Sequence, residues 1–222
     1  MPGRDYIQGD DEMRQPTNPC KMDITARLAF KRVYPAIAQH IVSKHRITEG
    51  WCLDAGSGPA SMAIAMADIT DLQIISLDVE PEMTTIANAN IIEAGMERRI
   101  MPVTSDVHSI PFPDDYFNLI VSRGSIFFWD DRPGALRELY RVLKPGGVIF
   151  CGGGMGSEEI RREADTIIMT YDVFEDIRNS WRDRVRKSKA ENEAEFKRDL
   201  DGSGLPGSVV HECGGIWLEI SK

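Results

Sequence analysis

Two carboxylates bracket a small-residue loop in this chain, and their spacing is the first sign of chemistry. Trp51-Cys52-Leu53-Asp54 is a short apolar run ending in an acid, Ala55-Gly56-Ser57-Gly58-Pro59-Ala60-Ser61 follows, and Met62 to Ala67 is a small, apolar series. That order predicts a buried strand, a tight turn and an opening helix. Gly56 and Gly58 lack a Cβ, so the loop can take dihedrals closed to other residues and let a ligand approach the main chain. The free N–H groups of the helix's first turn offer a place for an anion. Twenty residues past Gly58, the run Ile74-Ile75-Ser76-Leu77 ends in Asp78, where a second strand finishes beside the first. A carboxylate there can accept both hydroxyls of a ribose. Each signal has an ordinary alternative, a bare surface turn or a strand-end Asp opening a turn. The pairing favours a nucleoside-bearing ligand.

Elements that alternate along the chain must position these groups. Residues Met1 to Met22 are polar, carry Gly3, Gly9, Pro16 and Pro19, and read as an arm without periodicity. Asp23 is the expected N-cap of a helix with the apolar stripe Ile24, Leu28, Val33, Ile37 and Ile41, which Pro35 would kink or divide. Tyr6, Phe30 and Tyr34 read as packing residues. The pattern then predicts a helix from Ser61 to Asp68, a strand over 73–77, a helix from Pro81 to Ala94 closed by Gly95, and strands over 100–104 and 117–121. A helix over 137–143 and the Lys144-Pro145-Gly146-Gly147 turn lead to a strand over 148–151. Helices are expected over 158–169, 174–185 and 190–200, an irregular stretch over 201–207, and a terminal hairpin of strands 208–212 and 215–220. Strands alternating with helices imply a mainly parallel α/β sheet with ligands beyond the carboxyl ends of its strands. Residues 1–46 are expected to form an arm and helix able to cap the pocket, and 47–222 the ligand-binding domain.

Composition narrows the class. At 222 residues, 42% hydrophobic and 27% charged, the chain has the balance of one well-buried domain. No run reaches membrane-spanning length and the N-terminus lacks the apolar core of a secretion signal, so the expectation is a cytoplasmic protein. The net charge of −9 disfavours a nucleic-acid partner. The basic run Arg182, Arg184, Arg186, Lys187 and Lys189 reads as a solvated helix face. Cys52 and Cys151 fall in strands and should be reduced and structural. Cys20 lies in the Pro-rich leader near a pocket entrance. No metal centre is expected, since Asp106 and His108 alone do not make one.

With these motifs in order, the chain resembles the class I S-adenosylmethionine-dependent methyltransferases, in particular their small-molecule branch. The resemblance covers most of 47–222 and is strongest over 51–151. It implies a seven-stranded Rossmann-like sandwich with an antiparallel terminal strand and S-adenosylmethionine as cofactor. In the family, the loop matching Asp54-Ala55-Gly56-Ser57-Gly58 holds the methionine part, the acid matching Asp78 binds the ribose, and Val79 and Met83 flank the adenine. Thr104-Ser105-Asp106-Val107 resembles the third-strand end, so Asp106 would receive the adenine amino group and Val107 supply a main-chain donor; Ser122 would also lie beside the cofactor. Ile110-Pro111-Phe112-Pro113-Asp114 and Leu143-Lys144-Pro145-Gly146-Gly147 match the branch as well. Two features depart from it. The usual third loop glycine is Ala60, and the paired histidines of many relatives are replaced by Ser122-Arg123-Gly124-Ser125-Ile126-Phe127-Phe128-Trp129-Asp130.

The acceptor side is less defined. Arg123 could take an acceptor carboxylate or phosphate, hold the cofactor's own carboxylate, or pair with Asp130 or Asp131. Phe127, Phe128 and Trp129 line a pocket or pack a lid. His108 is a candidate base, although its place after Asp106 puts it nearer the adenine. In-line methyl transfer to a small molecule is the leading function. A nicotinamide-dependent oxidoreductase, with Ser61 in place of its third glycine, and a non-catalytic nucleoside-binding or interaction module are the alternatives. Oligomeric state is not legible.

Overall fold

The Asn18 side chain accepts a hydrogen bond from the Lys21 N–H at 3.2 Å, and Pro19 opens helix α1 (Pro19–Leu28) with its φ already set. The computed structural model describes residues 18–178 and 189–222. The expected start after Asp23 is thereby corrected, because the cap lies five residues earlier and leaves Cys20 exposed in the first turn. Tyr6 and the basic run Arg182 to Lys187 lie outside the described residues. The single expected stripe is divided between α1 and α2 (Val33–His45), with Leu28 47% exposed. Pro35 falls in the first turn of α2, where no intrahelical N–H partner is lost.

Seven strands follow: β1 (Trp51–Ala55), β2 (Gln73–Asp78), β3 (Ile100–Thr104), β4 (Phe117–Arg123), β5 (Leu143–Gly153), β6 (Gly207–Val210) and β7 (Ile216–Ser221). They form one sheet in the order β3-β2-β1-β4-β5-β7-β6, parallel except where β7 pairs antiparallel with β5 and β6. Between them lie α3 (Ser61–Ala67), α4 (Pro81–Glu93), α5 (Arg132–Val142), α6 (Glu158–Thr170) and α7 (Lys189–Ser203). This is the expected Rossmann-like sandwich with an antiparallel terminal strand. Among the described residues no helix is long and apolar enough to cross a membrane.

Element ends differ from expectation where a cap or bulge intervenes. Asp131 accepts from the Gly134 N–H at 2.9 Å and starts α5 five residues before Arg137. The expected Lys144–Gly147 turn is absorbed into β5 as an irregularity, the pairing stepping from Phe117↔Leu143 to Leu119↔Val148. Of the helix expected over 174–185, residues 179–185 lie outside the described residues; its start falls in a 3₁₀ turn over Asp172–Ile177 that buries Phe174 against Ala29 and Ile168. Helix α7 runs to Ser203, whose Oγ donates to the Leu200 carbonyl at 2.7 Å, so the first three residues of the expected irregular stretch are helical.

The period-two alternation of the strands sorts the core. Cys52, Ile74, Leu119, Val121, Phe150 and Trp217 face α2 and α3, with Val33, Ile37, Ala38 and Ile41 of α2 fully buried in the same cluster. Leu53, Ala55, Ile75, Ile120, Ile149 and Cys151 face α5 and α7. Phe150 and Trp217 stack at 4.6 Å. Residues 18–46 thus share the core of the sheet that follows them.

A polar knot ties the arm to the ligand-side loop. Asn90 on α4 is 8% exposed; its Nδ2 donates to the Pro59 carbonyl at 2.9 Å and to Asp23 at 2.7 Å, and its Oδ1 accepts from Arg27 at 2.5 Å. Arg27 also meets Asp23 and Glu93. Replacing Asn90 by Leu would strand the Pro59 carbonyl and remove a donor from Asp23. The expected loss is about 1–3 kcal/mol, read as a lower urea midpoint at constant slope; an unmoved midpoint would mean the knot is dispensable.

Candidate functional site

Alternation also places the polar side chains. With Cys52 and Ile74 facing α2 and α3, Asp54, Ser76 and Asp78 point to that same side at the carboxyl ends of β1 and β2, where Asp54 pairs in register with Ser76. Gly56, Gly58 and Ala60 all take left-handed φ, +66°, +56° and +64°. At Gly56 a Cβ would come within 2.3 Å of the Ser125 side chain, so glycine is required there for close approach as well as for φ. Ala60 is fully buried and stands in a conformation that costs an L-residue about 1–2 kcal/mol. The substitution of alanine for the usual third glycine therefore keeps the turn and stores a little strain.

Hydrogen bonds lace the loop to both strands. Ser57 donates its N–H to the Leu77 carbonyl at 2.9 Å, and its hydroxyl meets that of Ser76 at 2.6 Å. Gly58 N–H donates to Asp78 Oδ2 at 2.9 Å, and Glu80 N–H to Asp78 Oδ1 at 3.0 Å. The Val79 N–H is also bonded to this carboxylate, so three main-chain donors hold it in place. Asp54 is 1% exposed, and its Oδ2 accepts from the Ala63 N–H at 3.1 Å. It thereby caps the first turn of α3, which Ala60 cannot do. Burial raises the Asp54 pKa to about 7, the Ala63 N–H pulling it down and Asp78 pushing it up. Burial also raises the pKa of Asp78, against the N–H groups of Glu80 and Gly58.

Next to Asp78, Val79 is 64% exposed while Met83 is buried on α4. Beyond β3, Val107 is buried, and Asp106 Oδ1 accepts from the main chain of His108 at 2.8 Å and from its Nδ1 at 2.7 Å. His108 Nε2 reaches the Asp131 carbonyl at 3.1 Å. With acceptors at both ring nitrogens, the imidazole is arranged as the doubly protonated cation. Partial burial lowers its pKa, but the bonds to Asp106 and Asp131 outweigh it and the net shift is upward. His108 bridges Asp106 and the main chain at the start of α5.

At the end of β4, Ser122 is fully buried and its hydroxyl meets that of Ser125 at 2.6 Å; Ser125 also donates to the Ala55 carbonyl at 2.9 Å. Arg123 points the other way, toward the helices of the arm. Its guanidinium lies 4.6 Å from the Phe30 ring and 5.1 Å from that of Tyr34, and Nε and Nη2 donate to the Gly154 carbonyl at 3.2 and 3.1 Å. The proposed pairing with Asp131 is not formed, since that carboxylate caps α5. Burial raises the Tyr34 pKa, and Arg123 partly offsets it. Phe127 stacks on Phe196 at 5.6 Å, as a lid-packing residue would.

The structure therefore gathers Asp54, Ala55, Gly56, Ser57, Gly58 and Asp78 into one connected rim, with Val79 and Asp106 along it and Arg123 at its far end. Sequence reasoning missed Ser125, Ser76 and Asn90 as supports of that rim. Asn90 carried a signal, a polar residue at the inward phase of the Met83, Ala87, Ile91 stripe. Ser125 carried none, because its partners come from β1 and β4.

Comparison with known proteins fits this geometry. A methyltransferase domain family matches residues 53–151. A crystal structure of a candidate S-adenosyl-L-methionine-dependent methyltransferase from Methanococcus maripaludis is 40% identical, covers 92% of this chain and 91% of its own, and superposes with a TM-score of 0.83. A SAM-dependent methyltransferase from Aquifex aeolicus shares the fold at 18% identity, covering 92% of this chain and 100% of its own, with a TM-score of 0.64. The ubiquinone/menaquinone biosynthesis C-methyltransferase of Marinomonas sp. (strain MWYL1) is 25% identical over 69% of this chain, which spans 61% of that relative's length. The 27-O-demethylrifamycin SV methyltransferase of Amycolatopsis mediterranei is 29% identical over 45% of this chain and 37% of its own. The chain thus spans less than two thirds of these curated relatives, yet matches the methanococcal protein nearly end to end. On that match the chain belongs to the class I S-adenosylmethionine-dependent methyltransferases.

Proposed function

We propose that the chain transfers the methyl group of S-adenosylmethionine to a small-molecule nucleophile by in-line displacement. The observation that carries this reading is the rim itself: a left-handed small-residue loop whose Gly58 N–H is bonded to the strand-end carboxylate Asp78, twenty residues on. When bound, the cofactor supplies a methyl group activated on a sulfonium. The residues present suit it. Asp78, fixed by main-chain donors at the strand end, faces the ribose hydroxyls, Asp54 to Gly58 offer main chain and small side chains to the methionine part, and exposed Val79 with Met83, Asp106 and Val107 forms the adenine side. Ser122 acts through Ser125, holding the loop against β4.

The protein's work in such a reaction is to orient two molecules and exclude water, which can supply about 7–11 kcal/mol of the barrier. A nucleophilic side chain is not needed. The names of the relatives point to different acceptors, a carbon for the quinone-pathway protein and a demethylrifamycin for the other. They leave the acceptor atom of this chain open.

Calorimetry should show binding of S-adenosylmethionine and S-adenosylhomocysteine and no comparable binding of nicotinamide dinucleotides; the reverse preference would reject the reading. Asp78→Ala should weaken the cofactor by about 1.5–3 kcal/mol through loss of charge-assisted bonds, and an unchanged affinity would take Asp78 out of the site.

Asp54 gives a pH signature. Its folded pKa, about 7, lies above its unfolded value near 3.9, so the folded state holds the extra proton between them. The stability this proton contributes is complete below about pH 4 and is lost as pH rises toward about 7. Asp54→Asn removes the titration while keeping an acceptor for the Ala63 N–H. The variant's unfolding free energy relative to the unsubstituted protein should therefore rise by about 1–4 kcal/mol across that window. Urea titrations at both ends check the sign, and a flat difference would show that Asp54 ionises normally.

A further inference from the structure

Arg123 differs from five described arginines that meet carboxylates, and resembles Arg99 and Arg137, whose described partners are main-chain carbonyls. Arg27, Arg32, Arg132, Arg141 and Arg161 each lie against carboxylates. The described partners of Arg123 are neutral: two aromatic rings, the Gly154 carbonyl and the Met155 sulfur at 3.4 Å. These contacts fix the plane of the guanidinium without cancelling its charge. Rings cover it, one carbonyl takes Nε and Nη2 together, and the Tyr34 hydroxyl is a further neutral hydrogen-bond partner. A planar donor group of this kind fits a carboxylate or phosphate, and a partly buried cation with no carboxylate among its described partners gains from one.

Asp54, on the neighbouring strand β1 and paired with Val121, is the rim carboxylate nearer to this charge, and Asp78 lies farther off. Arg123 sits on β4 in register with Gly152 of β5, whereas Asp78 ends β2, two strands away and about 10 Å across the sheet. Phe30 and Tyr34 arrive from the turn into α2 and from its first turn, so the aromatic surface beside the guanidinium belongs to the arm. Both rings are only partly buried, as is Met155, which leaves apolar surface next to the cation.

Resting on the methyltransferase reading above, we propose that Arg123 is a specificity residue for the acceptor: it takes a carboxylate or phosphate of an acidic acceptor whose apolar body lies on Phe30, Tyr34 and Met155. The acceptor is then an organic acid or phosphate ester with a flat or apolar body, and the arm completes its pocket.

Calorimetry on the protein saturated with S-adenosylhomocysteine tests this, using phenylacetate and phenyl phosphate as anionic probes and phenylacetamide as the neutral match. At least one anion should bind about tenfold or more tightly than the amide, and which anion does so separates the carboxylate from the phosphate arm. Arg123→Gln should abolish the preference while leaving S-adenosylhomocysteine affinity within about twofold, and Arg123→Lys, with the charge but not the fork, should keep part of it. Equal binding of anion and amide, or none of either up to about 10 mM, overturns the proposal. So does a tenfold loss of S-adenosylhomocysteine in Arg123→Gln with the anion preference intact, which would give the residue to the donor's carboxylate. Should both variants fail to fold, the preference of the unsubstituted protein decides alone. Failure of that protein to bind S-adenosylhomocysteine at all is a separate result, and it sinks the methyltransferase reading together with this one.

Discussion

The structure turns on one carboxylate enclosed at the carboxyl edge of the sheet. Asp54 ends β1 on the face covered by α2 and α3, is almost wholly buried, and spends an oxygen on the Ala63 N–H. Helix α3 has no side-chain cap of its own, since Ala60 stands where a Ser or Asp would serve. The strand supplies the cap instead. This fixes the direction in which α3 leaves the sheet, and with it the length and curvature of the loop between. An isolated buried charge would be expensive, and the upward pKa shift is the protein's partial escape from that cost.

Once strand and helix are joined in this way, the loop has few choices. Five residues must turn back over the sheet edge, and three of them, Gly56, Gly58 and Ala60, take left-handed φ to do so. Hydroxyl pairs then pin the turn from both sides, Ser57 to Ser76 of β2 and Ser125 to the Ala55 carbonyl of β1. Asn90 holds its far end through Pro59 and passes the constraint to α1 by way of Asp23 and Arg27. The arm and the loop are therefore placed by one polar network, and the Phe30 and Tyr34 rings reach Arg123 because α1 is anchored there.

Local chemistry was legible in the sequence, and long-range pairing was not. Asp54, Gly56, Gly58 and Asp78 could be picked out because strand, turn and helix lie within one continuous stretch whose residue types each have a backbone reason. Strands 73–78 and 100–104 read correctly from apolar runs with clear ends. The errors cluster at caps. Asn18 and Asp131 each moved a helix start by several residues because a single side-chain hydrogen bond outweighs the apolar phase that follows it. The Lys144–Gly147 segment has every mark of a turn, yet the pairing of Phe117 with Leu143 carries the strand through it as a bulge. Ser125 could not be found without knowing that β1 and β4 are neighbours. The sequence put His108 beside Asp106 and so nearer the adenine, but its second contact, to the Asp131 carbonyl, depends on where α5 starts and had no local signal.

The distribution of charge bears on how catalysis could work. Asp54 and Asp78 make the loop end of the rim acidic, which suits a cationic methyl donor in the ground state. In a displacement that discharges a sulfonium, positive charge on sulfur falls as the methyl leaves, so attraction from these carboxylates weakens along the reaction. Such attraction favours the bound donor more than the transition state and cannot be the source of acceleration. Acceleration must come from placement: a rigid loop fixed by strand, hydroxyl and amide contacts on one side, and on the other an acceptor held by a part of the protein with its own anchoring. An arm that shares the core of the sheet and is tied to the loop through Asn90 meets that requirement. On the reading proposed above, it would hold the two halves of the site in one frame without asking any side chain to do covalent chemistry.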